Sequence, residues 1–149
     1  MSDTPFGFAS PALSRWAAEM IEKISNGFDV LDHPFAPGYA AREPEMHDLY
    51  MAMCRVKAGE PAARVTGDDL YAPYVRMRDA PHGDYSAFPV PTLFIVGDQD
   101  ELTLPWMIEG TASAVGGAQL RVIPGAGHSP FFELTALYND VLTEFLQTL

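Results

Sequence analysis

Cysteine is almost missing from this chain: only Cys54 carries a thiol among 149 residues. No internal disulfide or cysteine-cluster metal site can be built from these residues, and a cytoplasmic setting is the expectation. Basic side chains are also scarce. Nine Lys and Arg stand against 20 Asp and Glu, a formal net charge of -11. That balance argues against nucleic acid or an anionic membrane as partner, because both require a positive face. Long apolar runs are absent, and none approaches the roughly 20 residues of a membrane-spanning helix. The opening Met1-Ser2-Asp3-Thr4-Pro5 shows neither the basic n-region nor the apolar h-region of a secretion signal. Internal repeats and low-complexity tracts are not found either.

What is present is an ordinary globular composition, 48% hydrophobic and 19% charged, enough for a single domain with a sizeable core. Two textures divide it. Residues 9–88 read as helices separated by Pro- and Gly-rich turns. Ser10 can cap the first helix with Pro11 in its first position, and Leu13, Trp16, Ala17, Met20, Ile21 and Ile24 recur on one face before Asn26-Gly27. A second helix starts near Pro44, carries Met46, Leu49, Tyr50, Met53 and Val56 on one face and ends at Gly59. A third follows Thr66-Gly67-Asp68-Asp69, where Thr66 and Asp69 have capping-box spacing, and Pro73 must lie in its first turn or kink it. Asp32 to Glu43 reads as an irregular excursion.

Residues 89–149 read as strand, helix, strand, helix. Thr92-Leu93-Phe94-Ile95-Val96 is the continuous apolar run of a strand buried on both faces. A helix from Pro105 to Val115 precedes a second strand, Gln119 to Ile123, and Leu137, Val141, Leu142, Phe145 and Leu146 mark a closing helix. The spacing predicts a parallel crossover, hence an α/β class. Two strands alone make a poor parallel sheet.

Chemistry in open α/β sheets gathers beyond the carboxyl ends of the strands. Asp98-Gln99-Asp100-Glu101 follows the first strand, and Gly125-Ala126-Gly127-His128 follows the second. Adjacent parallel strands bring Asp100 and His128 to one edge. There a carboxylate can fix the imidazole tautomer and leave the other ring nitrogen as general base. A solvated acidic turn is the plain alternative for Asp100, and Asp98 or Glu101 could as well face the ring by composition alone.

The stretches Pro91-Thr92-Leu93-Phe94-Ile95-Val96-Gly97-Asp98-Gln99-Asp100 and Ile123-Pro124-Gly125-Ala126-Gly127-His128-Ser129-Pro130-Phe131-Phe132-Glu133 resemble the α/β-hydrolase family. The resemblance implies that Asp100 is the triad acid and His128 the triad base. It divides the chain into the end of a core strand and its exit loop (1–8), a helical cap-like region (9–88) and the C-terminal core segment (89–149). In the family the nucleophile stands on a Gly-x-Ser-x-Gly elbow before the acid and histidine. No such pentapeptide occurs here, and the oxyanion-hole donors that accompany it would also lie upstream. The expectation is therefore the C-terminal part of an α/β-hydrolase fold. A missing N-terminal half or a homo-oligomeric partner then completes the sheet, and this chain alone has negligible activity.

The implied reaction is hydrolysis of an ester, amide or activated C–C bond in a small apolar substrate, with no cofactor and no metal. His33, His47 and His82 show no ligand spacing, and Ser10, Ser14, Ser86, Ser113 and Ser129 have no elbow context. Cys54 is expected to be a small buried apolar residue. Met20, Met46, Met51, Met53 and Met77 could line a substrate pocket, although a helix core face is the simpler reading. A rival function is a non-enzymatic binding or assembly module that pairs or swaps through open strand edges beside residues 92–96. A dehalogenase or peroxidase of the same fold differs only in the nucleophile region.

Overall fold

The computed structural model describes residues 8–58 and 68–149. The expected strand tail at residues 1–3, the loop that continues it to residue 7 and Thr66 of the expected capping box lie outside the described residues.

Helix α1 (Pro11–Ser25) begins as its sequence dictates. Ser10 Oγ accepts from the Leu13 amide at 3.1 Å, and Pro11 wastes no hydrogen bond in the first turn. Its three- and four-residue periodicity buries Leu13, Trp16, Ala17, Met20 and Ile24. The helix stops where Gly27 takes a φ of 91°, a conformation glycine adopts without a Cβ clash. A 3-10 turn (Val30–Asp32) and helix α2 (Tyr39–Arg42) follow. The stretch expected to be irregular thus holds a short helix, launched by Gly38 at φ 78° with Tyr39 buried at its start.

Helix α3 (Pro44–Ala58) forms where expected, but of its apolar face Tyr50 packs inward, against Phe35 and Phe132, while other members stay open. Met46, Leu49 and Met53 are exposed. Cys54, expected to be buried, is exposed as well, because nothing described packs over that side of the helix. Helix α4 (Asp68–Asp79) carries Pro73 inside it, past the first turn, and packs against α1.

Strand β1 (Leu93–Gly97) and strand β2 (Gln119–Ile123) form a parallel pair in register from Leu93 opposite Gln119 to Gly97 opposite Ile123. Every β1 residue is buried, and successive side chains serve opposite layers. Phe94 and Val96 join Leu13, Trp16, Ala17 and Met20 of α1 with Met107, Ile108 and Ala112 of helix α5 (Pro105–Ser113). Leu93 and Ile95 join Ile123 and Ala126, covered by Tyr138, Val141 and Phe145 of helix α7 (Thr135–Leu146). Fully burying one such side chain contributes about 1.5–3 kcal/mol. β2 exposes Arg121 and Val122. Helices α1 and α5 cross closely: a Cβ on Gly110 would come within 2.6 Å of the Ala12 Cβ. Beside that crossing, the Ser10 and Thr111 hydroxyls hydrogen-bond at 3.1 Å. A short helix α6 (Pro130–Glu133) leads into α7. No helix among the described residues is long and apolar enough to cross a membrane.

Candidate active site

The site stands beyond the carboxyl ends of β1 and β2. Past Gly97 the chain turns, the Asp100 amide donating to the Gly97 carbonyl at 3.3 Å. Asp100 Oδ1 then accepts from the amides of Leu102 and Thr103, both at 2.8 Å. Aspartate favours such turns because its carboxylate replaces backbone acceptors that the turn leaves out. Oδ2 accepts from the Thr103 hydroxyl and lies 3.1 Å from His128 Nδ1. The Asp100 side chain is 1% exposed and the His128 side chain 26% exposed. The carboxylate is thus sealed behind a ring that keeps one flank toward solvent.

This network sets the tautomer. Thr103 gives its hydroxyl proton to Asp100, so its oxygen faces His128 Nδ1, 3.3 Å away, as an acceptor. Both neighbours of Nδ1 are then acceptors, and the neutral ring carries its proton there, with the basic lone pair on Nε2. Trp16 of α1 holds the turn from the other side, its indole N–H donating to the Leu102 carbonyl at 2.7 Å.

The histidine loop rises from β2 through Gly125, at φ 78°. It passes so close to β1 that a Cβ on Gly97 would meet the carbonyl oxygens of Ala126 and Gly127 at 2.2 and 2.3 Å. The Asp98 and Gln99 amides donate to the carbonyls of Ile123 and Ala126 at 3.1 and 2.9 Å, extending the ladder past the strand ends. Asp98 does not face the imidazole; its Oδ1 accepts from the Gly125 amide at 2.7 Å. Glu101 instead meets His33, Oε2 to Nδ1 at 2.5 Å, and that ring stacks on Phe28. His47 lies beside Asp48 and Phe35, and His82 beside Ser14. Among the described residues no three His, Cys, Asp or Glu side chains gather as metal ligands.

The sequence matches the model of the alpha/beta hydrolase family over residues 2–141. The chain belongs to the alpha/beta hydrolase family. The search of curated proteins finds no match. Among solved structures, this alpha/beta hydrolase chain is similar to a thermophilic esterase from Thermogutta terrifontis (23% identity, TM-score 0.59), covering 95% of this chain and 52% of that one. It is also similar to a putative non-heme bromoperoxidase from Mycobacterium tuberculosis (19%, 0.60; 95% and 55%). A third is the enol-lactonase from Burkholderia xenovorans (24%, 0.55; 92% and 49%). At these identities the likeness is one of fold, and the chain spans about half the length of the structures it matches. The two-stranded parallel sheet with its covering helices is accordingly part of an alpha/beta hydrolase fold.

Three residues of the site have no prominence in the sequence. Thr103 lies inside the acidic turn, three residues after Asp100, where a hydroxyl can reach back to the carboxylate. Trp16 reads as one more member of the α1 stripe. Glu133 closes the histidine motif, yet its role comes from contacts with a distant segment. Its Oε1 accepts from the Gly127 amide at 2.8 Å and the Ser129 amide at 3.3 Å, while Oε2 accepts from the Ala36 amide at 2.8 Å. Burial pushes its carboxyl above the usual range, more than these three amides pull it back. Ser129 is buried too, its hydroxyl donating to Tyr50 Oη of α3 at 2.9 Å.

Proposed function

We propose that this chain is the acid–base half of a hydrolase for small apolar esters or lactones, with Asp100 as orienting acid and His128 as general base. The observation that carries the proposal is the 3.1 Å contact between a sealed carboxylate and Nδ1 of a partly open ring. His128 Nε2 takes the proton of a nucleophile's hydroxyl as that oxygen attacks the carbonyl, then gives it to the leaving alkoxide. Asp100 keeps the ring oriented and stabilises the imidazolium that forms between those steps. Water repeats the sequence on the acyl intermediate. The nucleophile and oxyanion-hole donors come from polypeptide outside these 149 residues. Residues 9–88 act as the cap and residues 89–149 as the core segment of the completed site. Amides and activated C–C bonds use the same base. The single thiol and acidic surface suit a cytoplasmic enzyme.

The purified 149-residue protein is expected to show negligible turnover of p-nitrophenyl butyrate. Clear turnover that His128→Ala abolishes would show that these residues already hold a nucleophile and sink the two-part reading.

A second reading has its own support. Beside β1 lies a groove of about 280 Å³ lined by Phe88, Val90, Leu93, Tyr138, Leu142 and Phe145 among others, with Val90 and Leu146 both 57% exposed. A strand edge beside such a groove suits a binding or assembly module that pairs with a second copy. Light scattering tests it: a stable dimer favours assembly, whereas a well-behaved monomer with a cooperative melt counts against pairing through this edge.

A further inference from the structure

The carboxylate of Glu133 grips the residues on either side of the base. Gly127 and Ser129 flank His128, and both donate their amides to Oε1; Oε2 takes the Ala36 amide from the segment before α2. The two backbones touch where the carboxylate bridges them, since a Cβ on Gly127 would fall 2.1 Å from the Ala36 nitrogen and 2.2 Å from the Phe35 carbonyl carbon. Phe35 in turn packs against Tyr39, Tyr50 and Phe132. A backbone loop with two glycines has many conformations to lose on ordering. Here three amides converge on one half-buried anion, and charge-assisted hydrogen bonds of this kind are about twice as strong as neutral ones.

We infer that Glu133 is a positioning residue: its carboxylate locks the His128 loop against residues 35–36, so that the imidazole meets Asp100 in one register. This inference rests on the reading of His128 as the base, but its geometry can be measured without turnover. An aliphatic side chain at this position would leave the loop unheld, and an amide would keep one acceptor oxygen while setting its NH2 group against the remaining amide donor. Glutamine is the sharper substitution, because its NH2 group turned toward the amides offers donors to donors. The ionisable groups around Glu133 are Asp100 on the acid turn, His128 on the loop it holds and Tyr39 of α2. The Tyr39 phenol is itself pushed up, by burial first and then by Glu43 and Glu133.

The test is NMR on the isotope-labelled full chain. In the wild type, the amide protons of Ala36, Gly127 and Ser129 should shift with pH together, at the midpoint of the Glu133 side-chain carboxyl carbon. In Glu133→Gln those amides should exchange with solvent at least about tenfold faster. The downfield His128 Nδ1–H resonance from the Asp100 contact should broaden or vanish, while amides in β1 and α1 keep their protection. Glu133→Asp, one methylene short, should restore part of the signal. Amides that titrate apart from the Glu133 carboxyl, or an unchanged Nδ1–H resonance in Glu133→Gln, would overturn the inference. If Glu133→Gln does not fold, the wild-type titration decides alone. Esterase activity enters neither arm, so an inactive chain leaves this outcome separate from that of the proposed function.

Discussion

The two turns that carry the site are built on opposite principles. The acid turn is mostly its own scaffold: Asp100 is satisfied by the amides of Leu102 and Thr103 and by the Thr103 hydroxyl, all within three residues of it. The histidine loop is held from outside. Gly97 lies beneath it, residues 35–36 lie against it, and Glu133 ties it down. A carboxylate placed by local hydrogen bonds is ready once its strand ends, whereas the imidazole is placed only when distant segments have packed. The difference teaches where each side of the contact is vulnerable: the carboxylate to changes nearby in sequence, the imidazole to changes far away.

Substitutions can break that contrast or sharpen it. The largest effect is expected from Gly127→Val, whose side chain has no room against Phe35 and Ala36. Overpacking of this kind typically lowers stability by about 1–3 kcal/mol, and here the obstacle is backbone. Urea denaturation should show a loss at or above the top of that range. Amide protection should fall in the histidine loop and persist at Leu102 and Thr103. Equal loss in both turns would mean they form one unit.

Thr103→Val keeps the shape of the acid turn and removes its hydroxyl. A lost hydrogen bond to a charged acceptor costs about 1.5–3 kcal/mol. The same change should free Nδ1 of one of its two acceptors, moving the His128 ring proton signal while Gly127 and Ser129 stay protected.

A smaller change is expected from pH. Because the folded-state pKa of Glu133 is raised, chiefly by burial, the native state favours its protonated form. The stability linked to its protonation is full below the ordinary carboxyl range near 4.5 and is lost as pH rises through the raised value. Thermal melts of wild type and Glu133→Gln from acid to neutral pH should therefore diverge, the wild type losing ground as pH rises. Parallel curves would show that the carboxyl is not buried as described. The smallest effect belongs to His33→Gln. The His33–Glu101 pair is substantially exposed on both sides, and such pairs contribute about 0–1 kcal/mol. A melt shifted by more than that would show that the acid turn leans on its neighbour after all.

The sequence made some of this legible and hid the rest for physical reasons. Periodicity and capping chemistry are local, so α1, β1, α5 and β2 lie within a residue or two of their expected bounds. The closeness of Asp100 and His128 follows from parallel register alone and could be anticipated. Composition could not choose among Asp98, Asp100 and Glu101, where only the family resemblance pointed to Asp100, because each carboxylate finds a different partner in three dimensions: the Gly125 amide, the His128 ring and His33. The apolar face of α3 was sound as a helix signal and misleading as a core signal, since periodicity names a face without naming what covers it. Met46, Leu49, Met53 and Cys54 accordingly stay exposed. Glu133 was invisible for the reason that makes it interesting: one of its three donors, the Ala36 amide, lies 97 positions away in sequence.

The register of the two strands also works as a ruler. Gly97 opposes Ile123, and the Asp98 and Gln99 amides carry the ladder on to Ile123 and Ala126. A slip of one residue moves one strand about 3.3 Å along the other and turns its side chains to the opposite face. Asp100 Oδ2 and His128 Nδ1 stand 3.1 Å apart, so a single step of slippage carries them beyond hydrogen-bond reach. A single inserted or deleted residue within β1 or β2 should thus disconnect the pair, while insertions at the far end of α7 leave the spacing untouched.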